Sequence, residues 1–206
     1  MTPTIDFWFD FASIYAHLTA CRIEALAAQS GVAVTWRPFV LGPIFAARGW
    51  STSPFNLYSD KGRQMWRDVE RLSEDAGLPF RRPSVFPRNS MLAARAALVG
   101  ADEGWLVPFS EAVFRAEFTE DRDIAAPEVI DAILAGLGLD GAAIRARAES
   151  PAYKPRLREQ TGQAEKLGIF GAPTFIVGPE LFWGNDRLEQ AISWAQRGAG
   201  RAAGAP

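Results

Sequence analysis

Strand-forming sequence is confined to the two ends of this chain, and the stretch between them, residues 60–159, carries helical periodicity instead. At the N-terminal end Ile5, Phe7, Phe9 and Phe11 alternate with Asp6, Trp8 and Asp10, a period of two that predicts a strand with one face against a core. Ile14, Leu18, Cys21 and Ala25 then recur at helical spacing up to a stop at Ser30-Gly31. This predicts one amphipathic helix ending at residue 29, with Cys21 buried on its apolar stripe. Residues 32–39 are β-branched and aromatic and predict a second strand, parallel to the first across the intervening helix.

Helical spacing dominates residues 64–76, 89–98, 106–116, 127–137 and 142–148, with breakers such as Gly77-Leu78-Pro79 and Asp140-Gly141 between them. A further helix over 153–167 leads to a short β run at 173–178, a Pro179-Glu180 turn, and a second run at 181–183. That spacing predicts a β-hairpin. A helix over 186–196 follows, and the Gly-, Ala- and Arg-rich residues 198–206 are expected to be a disordered tail. The order βαβ, helical block, α, ββα predicts an α/β protein, a thioredoxin-like fold with a large all-helical insertion. Residues 1–59 and 160–197 would form the thioredoxin-like domain and residues 60–159 the insertion.

Composition narrows the chemistry. One cysteine and one histidine exclude an intrachain disulfide, a Cys-x-x-Cys redox pair and a Cys- or His-rich metal site, so no metal is expected. With 22 basic against 24 acidic side chains there is no electrostatic footprint for nucleic acid. No apolar run is long enough to cross a membrane and no signal peptide is evident, so a cytoplasmic location is expected.

The segment Phe9-Asp10-Phe11-Ala12-Ser13-Ile14-Tyr15-Ala16-His17-Leu18 resembles the Phe-Asp-Phe-x-Ser-Pro-Tyr-Ser-Tyr-Leu opening of the 2-hydroxychromene-2-carboxylate isomerases. Phe170-Gly171-Ala172-Pro173-Thr174-Phe175 and Phe182-Trp183-Gly184-Asn185-Asp186-Arg187-Leu188 resemble that family's second signature, and Lys61-Gly62 and Gly77-Leu78-Pro79-Phe80 extend the likeness over nearly the whole chain. The family is related to kappa-class glutathione transferases and DsbA-like oxidoreductases, and shares with the kappa class a thioredoxin fold, a helical insertion and the use of glutathione.

Residue by residue, the resemblance adds a ligand to local structural readings. Ser13 reads as a helix N-cap; by resemblance it is the catalytic residue, at the first thioredoxin cysteine position, against the glutathione sulfur. The second cysteine position is Ala16. Pro173 reads as a turn proline; by resemblance it is cis, turning the backbone of Ala172 toward a peptide ligand. Asp186 and Glu189 read as a capping box; by resemblance Asn185 and Asp186 meet the γ-glutamyl end of glutathione, next to Trp183 and Gly184, which otherwise serve core and turn. Lys61 reads as a solvated lysine; by resemblance it reaches the glycyl carboxylate. His17, one turn after Ser13, is open to a general-base role where the family has tyrosine.

Phe45, Asn56 and Phe86 occupy substrate-contacting positions by the same resemblance, and the two phenylalanines suit a flat aromatic acid. Ile14, Ala16 and Thr52 depart from the family pattern. The function implied is a glutathione-dependent cis-trans isomerase of 2-hydroxychromene-2-carboxylate or a similar aromatic-catabolism intermediate, a small aromatic carboxylate, in a homodimer. The alternatives are a kappa-like glutathione transferase or peroxidase and a non-catalytic thioredoxin-fold binding protein.

Overall fold

In the computed structural model residues 2–203 are described. Strand β1 (Thr4–Phe9) pairs in parallel with β2 (Ala33–Pro38) and antiparallel with β3 (Thr174–Val177), which pairs antiparallel with β4 (Glu180–Trp183). The sheet order is β2-β1-β3-β4, with both chain ends contributing to its middle. This is the thioredoxin-like sheet, and the parallel pair and hairpin sit where the sequence places them.

The predicted single helix over 14–29 is two helices, α1 (Ile14–Ala20) and α2 (Ile23–Gln29), broken at Cys21 and Arg22. Arg22, at φ −135° and ψ −16°, has left helical geometry. The break rotates the stripe, so Cys21 and Ala25 are exposed rather than core, while Leu18 stays buried.

Eight helices separate β2 from β3: α3 (Leu41–Ala46), α4 (Pro54–Leu57), α5 (Ser59–Asp75), α6 (Met91–Glu103), α7 (Leu106–Phe118), α8 (Pro127–Gly136), α9 (Gly141–Ala148) and α10 (Tyr153–Lys166). Their starts carry the expected devices: Pro127 opens α8, and the Asp140 carboxylate accepts the Ala143 N–H at 3.0 Å to cap α9. The short α3 and α4 escape a periodicity test because neither completes two turns. After β4 a 3₁₀ turn, Asn185–Arg187, runs into α11 (Leu188–Ala203). Backbone of the predicted tail at 198–203 therefore continues α11, and residues 204–206 lie outside the described residues. None of the described helices is long and apolar enough to cross a membrane.

Aromatic side chains join the insertion to the sheet. Phe9 and Phe11 meet Phe114 of α7 at ring distances of 5.8 and 5.1 Å, while Trp36 of β2 packs edge-on against Phe7 at 4.9 Å. These rings are buried and belong to the main core. Trp8, on the opposite face of β1, is also buried, with Phe39, Ile44, Ala164 and Ile169 in a second cluster. One-faced alternation understates β1, because α3 and α10 cover the face it leaves polar in theory.

Polar anchors set the insertion's pose. Asp10, buried just after β1, accepts the Ala12 N–H at 3.0 Å, the Leu41 N–H of α3 at 2.7 Å and the Ser90 hydroxyl at the head of α6 at 2.5 Å. Burial pushes its carboxyl upward and the three donors pull it back. After the cis Phe86–Pro87 bond, buried Arg88 meets Glu117 of α7 at 3.2 Å and Asp121 at 2.5 Å. Burial pushes Glu117 up to about 7 against the pull of Arg88. Replacing Asp10 by alanine strands three donors at once and should destabilise the fold by about 3 kcal/mol or more. Urea unfolding measures this; a loss under about 1 kcal/mol, the size of one ordinary hydrogen bond, would remove Asp10 as an anchor.

Candidate active site

A cavity of about 1630 Å³ lies between the sheet's C-terminal loops and the insertion. This exceeds the roughly 300–1,000 Å³ usual for one small molecule and leaves room for two ligands side by side. Its inner wall is built where β1 ends. Ser13 is the N-cap of α1, its hydroxyl oxygen accepting the Ala16 N–H at 3.3 Å while its O–H donates to the Ala172 carbonyl at 2.8 Å. The Ala172–Pro173 bond is cis. Ser13 is therefore both the cap and part of the cavity lining, and Ser13 and Ala172, 159 residues apart, are held in one constellation.

Trp183, Gly184, Asn185 and Asp186 form the next stretch of wall. Trp183 is 50% exposed, its ring 4.8 Å from that of Phe170, so it is a cavity rim rather than core. A side chain on Gly171 would meet the Trp183 indole nitrogen at 2.3 Å. Gly184 has φ +116°, and a Cβ there would lie 2.5 Å from an Asp186 carboxylate oxygen. That turn thus requires glycine for its backbone and for the carboxylate folded over it.

The capping box is not formed: no side-chain bond caps the 3₁₀ turn, and Glu189 pairs with Arg22 instead. Asn185 Oδ1 accepts from the Thr19 hydroxyl at 3.1 Å and from Arg22 Nε at 3.3 Å.

The insertion supplies the opposite wall. Lys61, Met65, Asp68, Leu72 and Asp75 of α5 all line the cavity, spaced so that one helix face presents them. The Lys61 ammonium sits 4.7 Å over the Tyr58 ring. Phe45 and Phe86 also line the cavity, as does Thr52. Asn56 does not; its amide donates to the Phe86 carbonyl at 2.9 Å and to the Thr52 hydroxyl at 3.3 Å, behind the wall. The structure brings together every other predicted site residue.

Three residues of the wall, Tyr15, Asp68 and Arg22, escaped the sequence reading. Tyr15 donates its hydroxyl to Asp68 at 2.8 Å, and burial with that carboxylate raises the phenol above its ordinary range. Asp68 lies seven residues after Lys61, two turns along one helix face, a spacing that could have drawn attention to it. Arg22, the third, drew no reading, because the helix break that turns it toward the cavity was not foreseen.

His17 is turned from the cavity. It is 5% exposed, between Phe114 and Phe118 at ring distances of 5.9 and 5.5 Å, and burial pulls it down to about 4. A general-base role against a cavity ligand is thereby ruled out by position. Cys21 is likewise outside the lining, its thiol pushed up first by partial burial and then by Glu111.

The parallel pair, the antiparallel hairpin and the helical block between them define a thioredoxin-like protein of the DSBA-like class, whose family description, DSBA-like thioredoxin domain, matches residues 4–193. The chain is 30% identical to 2-hydroxychromene-2-carboxylate isomerase of Sphingobium xenophagum over 190 residues, 92% of this chain and 96% of that protein. It is 30% identical to the enzyme of that name from Pseudomonas putida over 189 residues, 89% of this chain and 90% of that one. A solved 2-hydroxychromene-2-carboxylate isomerase superposes with a TM-score of 0.86 at 26% identity, covering 97% of this chain and 98% of the other. The chain belongs to the 2-hydroxychromene-2-carboxylate isomerase family of DSBA-like thioredoxin domains.

The placement of His17 predicts a pH dependence of stability. Its folded pKa, about 4, lies below the ordinary 6.5, so the unfolded chain takes up the proton first on acidification. The neutral-His contribution is full above about pH 6.5 and is lost as pH falls toward 4, by about 3 kcal/mol in all. As pH falls through this range, wild type should lose about 3 kcal/mol of unfolding free energy relative to His17→Phe; a constant difference would show that His17 titrates normally.

Proposed function

We propose that the protein is a glutathione-dependent cis-trans isomerase of 2-hydroxychromene-2-carboxylate or a closely similar aromatic-catabolism intermediate, a small aromatic carboxylate. One observation carries the reading: the serine that caps α1 and bonds the Ala172 carbonyl lines a two-ligand cavity to which the chain's single thiol does not contribute. The reacting sulfur then has to arrive with a ligand. The isomerase names of the 30%-identical relatives support the reaction class.

The residues present fit glutathione group by group. Lys61 offers a cation to the glycyl carboxylate. At the other end, the amides of Asn185 and Asp186, the first of their helix, lack intrahelical acceptors and suit the γ-glutamyl carboxylate, and the Asp186 carboxylate suits its ammonium. Ala172 offers backbone to the peptide groups beside Ser13. Trp183 supplies an apolar face along the rim.

Bound there, glutathione would supply a thiolate nucleophile for reversible addition to the conjugated double bond of the ring-opened substrate, the chemistry that permits cis-trans isomerisation. The chain's own residues prepare that chemistry. The Ser13 hydroxyl would donate to the charged form of a thiol held beside it and lower its pKa, assisted by the free amides of the first turn of α1. Phe45 and Phe86 give the flat ring system an apolar bed and keep water from the reacting carbon. Asn56, bonded to the Phe86 carbonyl, steadies that bed from behind rather than touching substrate.

The test is the isomerisation rate of 2-hydroxychromene-2-carboxylate with and without glutathione, for wild type and Ser13→Ala. Turnover should require glutathione, and Ser13→Ala should keep glutathione binding while losing about a hundredfold in rate. Equal rates with and without glutathione, or none in either case, would overturn the reading. Conjugation of a chloronitrobenzene or reduction of an organic hydroperoxide without chromene turnover would assign a kappa-like transferase or peroxidase instead, and absence of glutathione binding by calorimetry a non-catalytic thioredoxin-fold binding protein.

A further inference from the structure

The break between α1 and α2 leaves Arg22 outside both helices, with no side-chain cap to open α2. What the break achieves is the direction of the Arg22 side chain, which crosses to the turn at Asn185–Arg187 and lines the cavity there. Its Nε and Nη2 reach Asn185 Oδ1 at 3.3 and 3.2 Å, Nη2 also reaches the Asn185 carbonyl at 2.5 Å, and Nη1 pairs with Glu189. All three guanidinium nitrogens are thus committed to this turn and the first turn of α11. Thr19, buried on α1, adds its hydroxyl to the same Asn185 oxygen at 3.1 Å.

Asn185 is consequently saturated through its side-chain oxygen and fixed in direction. Gly184 N–H bonds the Pro173 carbonyl and Arg187 N–H the Gly184 carbonyl, which leaves the Asn185 and Asp186 amides as the turn's open donors. Charge points the same way. Asp186 and Glu189 would repel a carboxylate arriving at this wall; the Arg22–Glu189 pair offsets one, and Arg187, 3.5 Å from Asp186 on the exposed side, the other.

We infer that Arg22 is a positioning residue for ligand binding: its guanidinium holds the Asn185–Arg187 turn in the shape that offers the Asn185 and Asp186 amides to the γ-glutamyl carboxylate of glutathione. The inference rests on the glutathione reading above and adds to it a residue that acts through the turn. A guanidinium is suited to this because its rigid fork bonds several oxygens at once, whereas a lysine ammonium is a single point on a flexible stem.

Titration calorimetry with reduced glutathione on the full-length wild type, Arg22→Met and Arg22→Lys tests this, together with KM for glutathione and kcat. Both variants should bind about tenfold more weakly, with KM raised in proportion and kcat at saturating glutathione changed less than about twofold. Merely loosening the fold would lower the active fraction, and so kcat, without moving KM. Wild-type affinity in Arg22→Lys would show a simple charge effect and overturn positioning, as would unchanged affinity in Arg22→Met. Should Arg22→Met fail to fold, Asn185→Ala removes the Oδ1 that accepts from Nε and Nη2 while keeping the backbone carbonyl bond and the Arg22–Glu189 pair, and should weaken binding about threefold or more; unchanged affinity there also overturns the inference. No binding by wild type sinks the glutathione reading itself, and this inference with it, whereas wild-type binding insensitive to these substitutions sinks the inference alone.

Discussion

The Asp10 carboxylate is the point on which the architecture turns. It stands at the end of the central strand β1, where the chain leaves the sheet for the Ser13 loop. Its oxygens gather the amide of Ala12, the amide that opens α3 and the hydroxyl that heads α6. A buried carboxylate is costly unless its lone pairs are filled, and beside the local Ala12 amide the donors come from two segments, at Leu41 and Ser90, that sequence separation would otherwise leave independent. Satisfying one group therefore sets the distance between the sheet and the helices facing it. The cavity is the space that this distance leaves.

Arg88 performs the complementary task at the far side of the insertion. It bonds Glu117, Asp121 and the carbonyls of Asp121 and Arg122, so the loop carrying Phe86 is tied to the end of α7. Because α7 also carries Phe114 against Phe9 and Phe11, the wall of the cavity is coupled to the aromatic core through one helix. Glu117 keeps one oxygen buried without a partner, which explains why burial outweighs the Arg88 charge in setting its proton affinity. Ion pairs of this kind define geometry more than they add stability.

What could be read from the sequence follows the range of the interactions. Period-two alternation and helical spacing are local, and they placed β1, the hairpin and most insertion helices within a few residues. Serine ahead of a helix is also a local signal, so Ser13 was legible as a cap. Its bond to Ala172 was not, since it spans the whole insertion. The helix break at Cys21 and Arg22 failed for a related reason: the apolar stripe continued through it, and the partner that favours the break, Asn185, lies 163 residues away. Cys21 was then assigned to a core it does not reach. The reading of Asp186 and Glu189 as a capping box failed because Glu189 has a stronger partner in Arg22, and a cation brought by tertiary structure outcompetes a local amide.

These long-range choices bear on how the site works. A thioredoxin scaffold that uses its own sulfurs places one at the position of Ser13 and another at Ala16; here the first carries a hydroxyl and the second a buried methyl, while the chain's thiol faces outward from the broken helix. The same break that expels Cys21 delivers Arg22 to the turn at Asn185. An unactivated hydroxyl is a poor nucleophile at neutral pH, but it can stabilise a neighbouring anion, and the wall around it carries both signs of charge, Lys61 with Asp68 and Asp75 on α5 and Arg22 and Arg187 with Asp186 and Glu189 around the turn. Phe45 and Phe86 add an apolar stretch to the same lining.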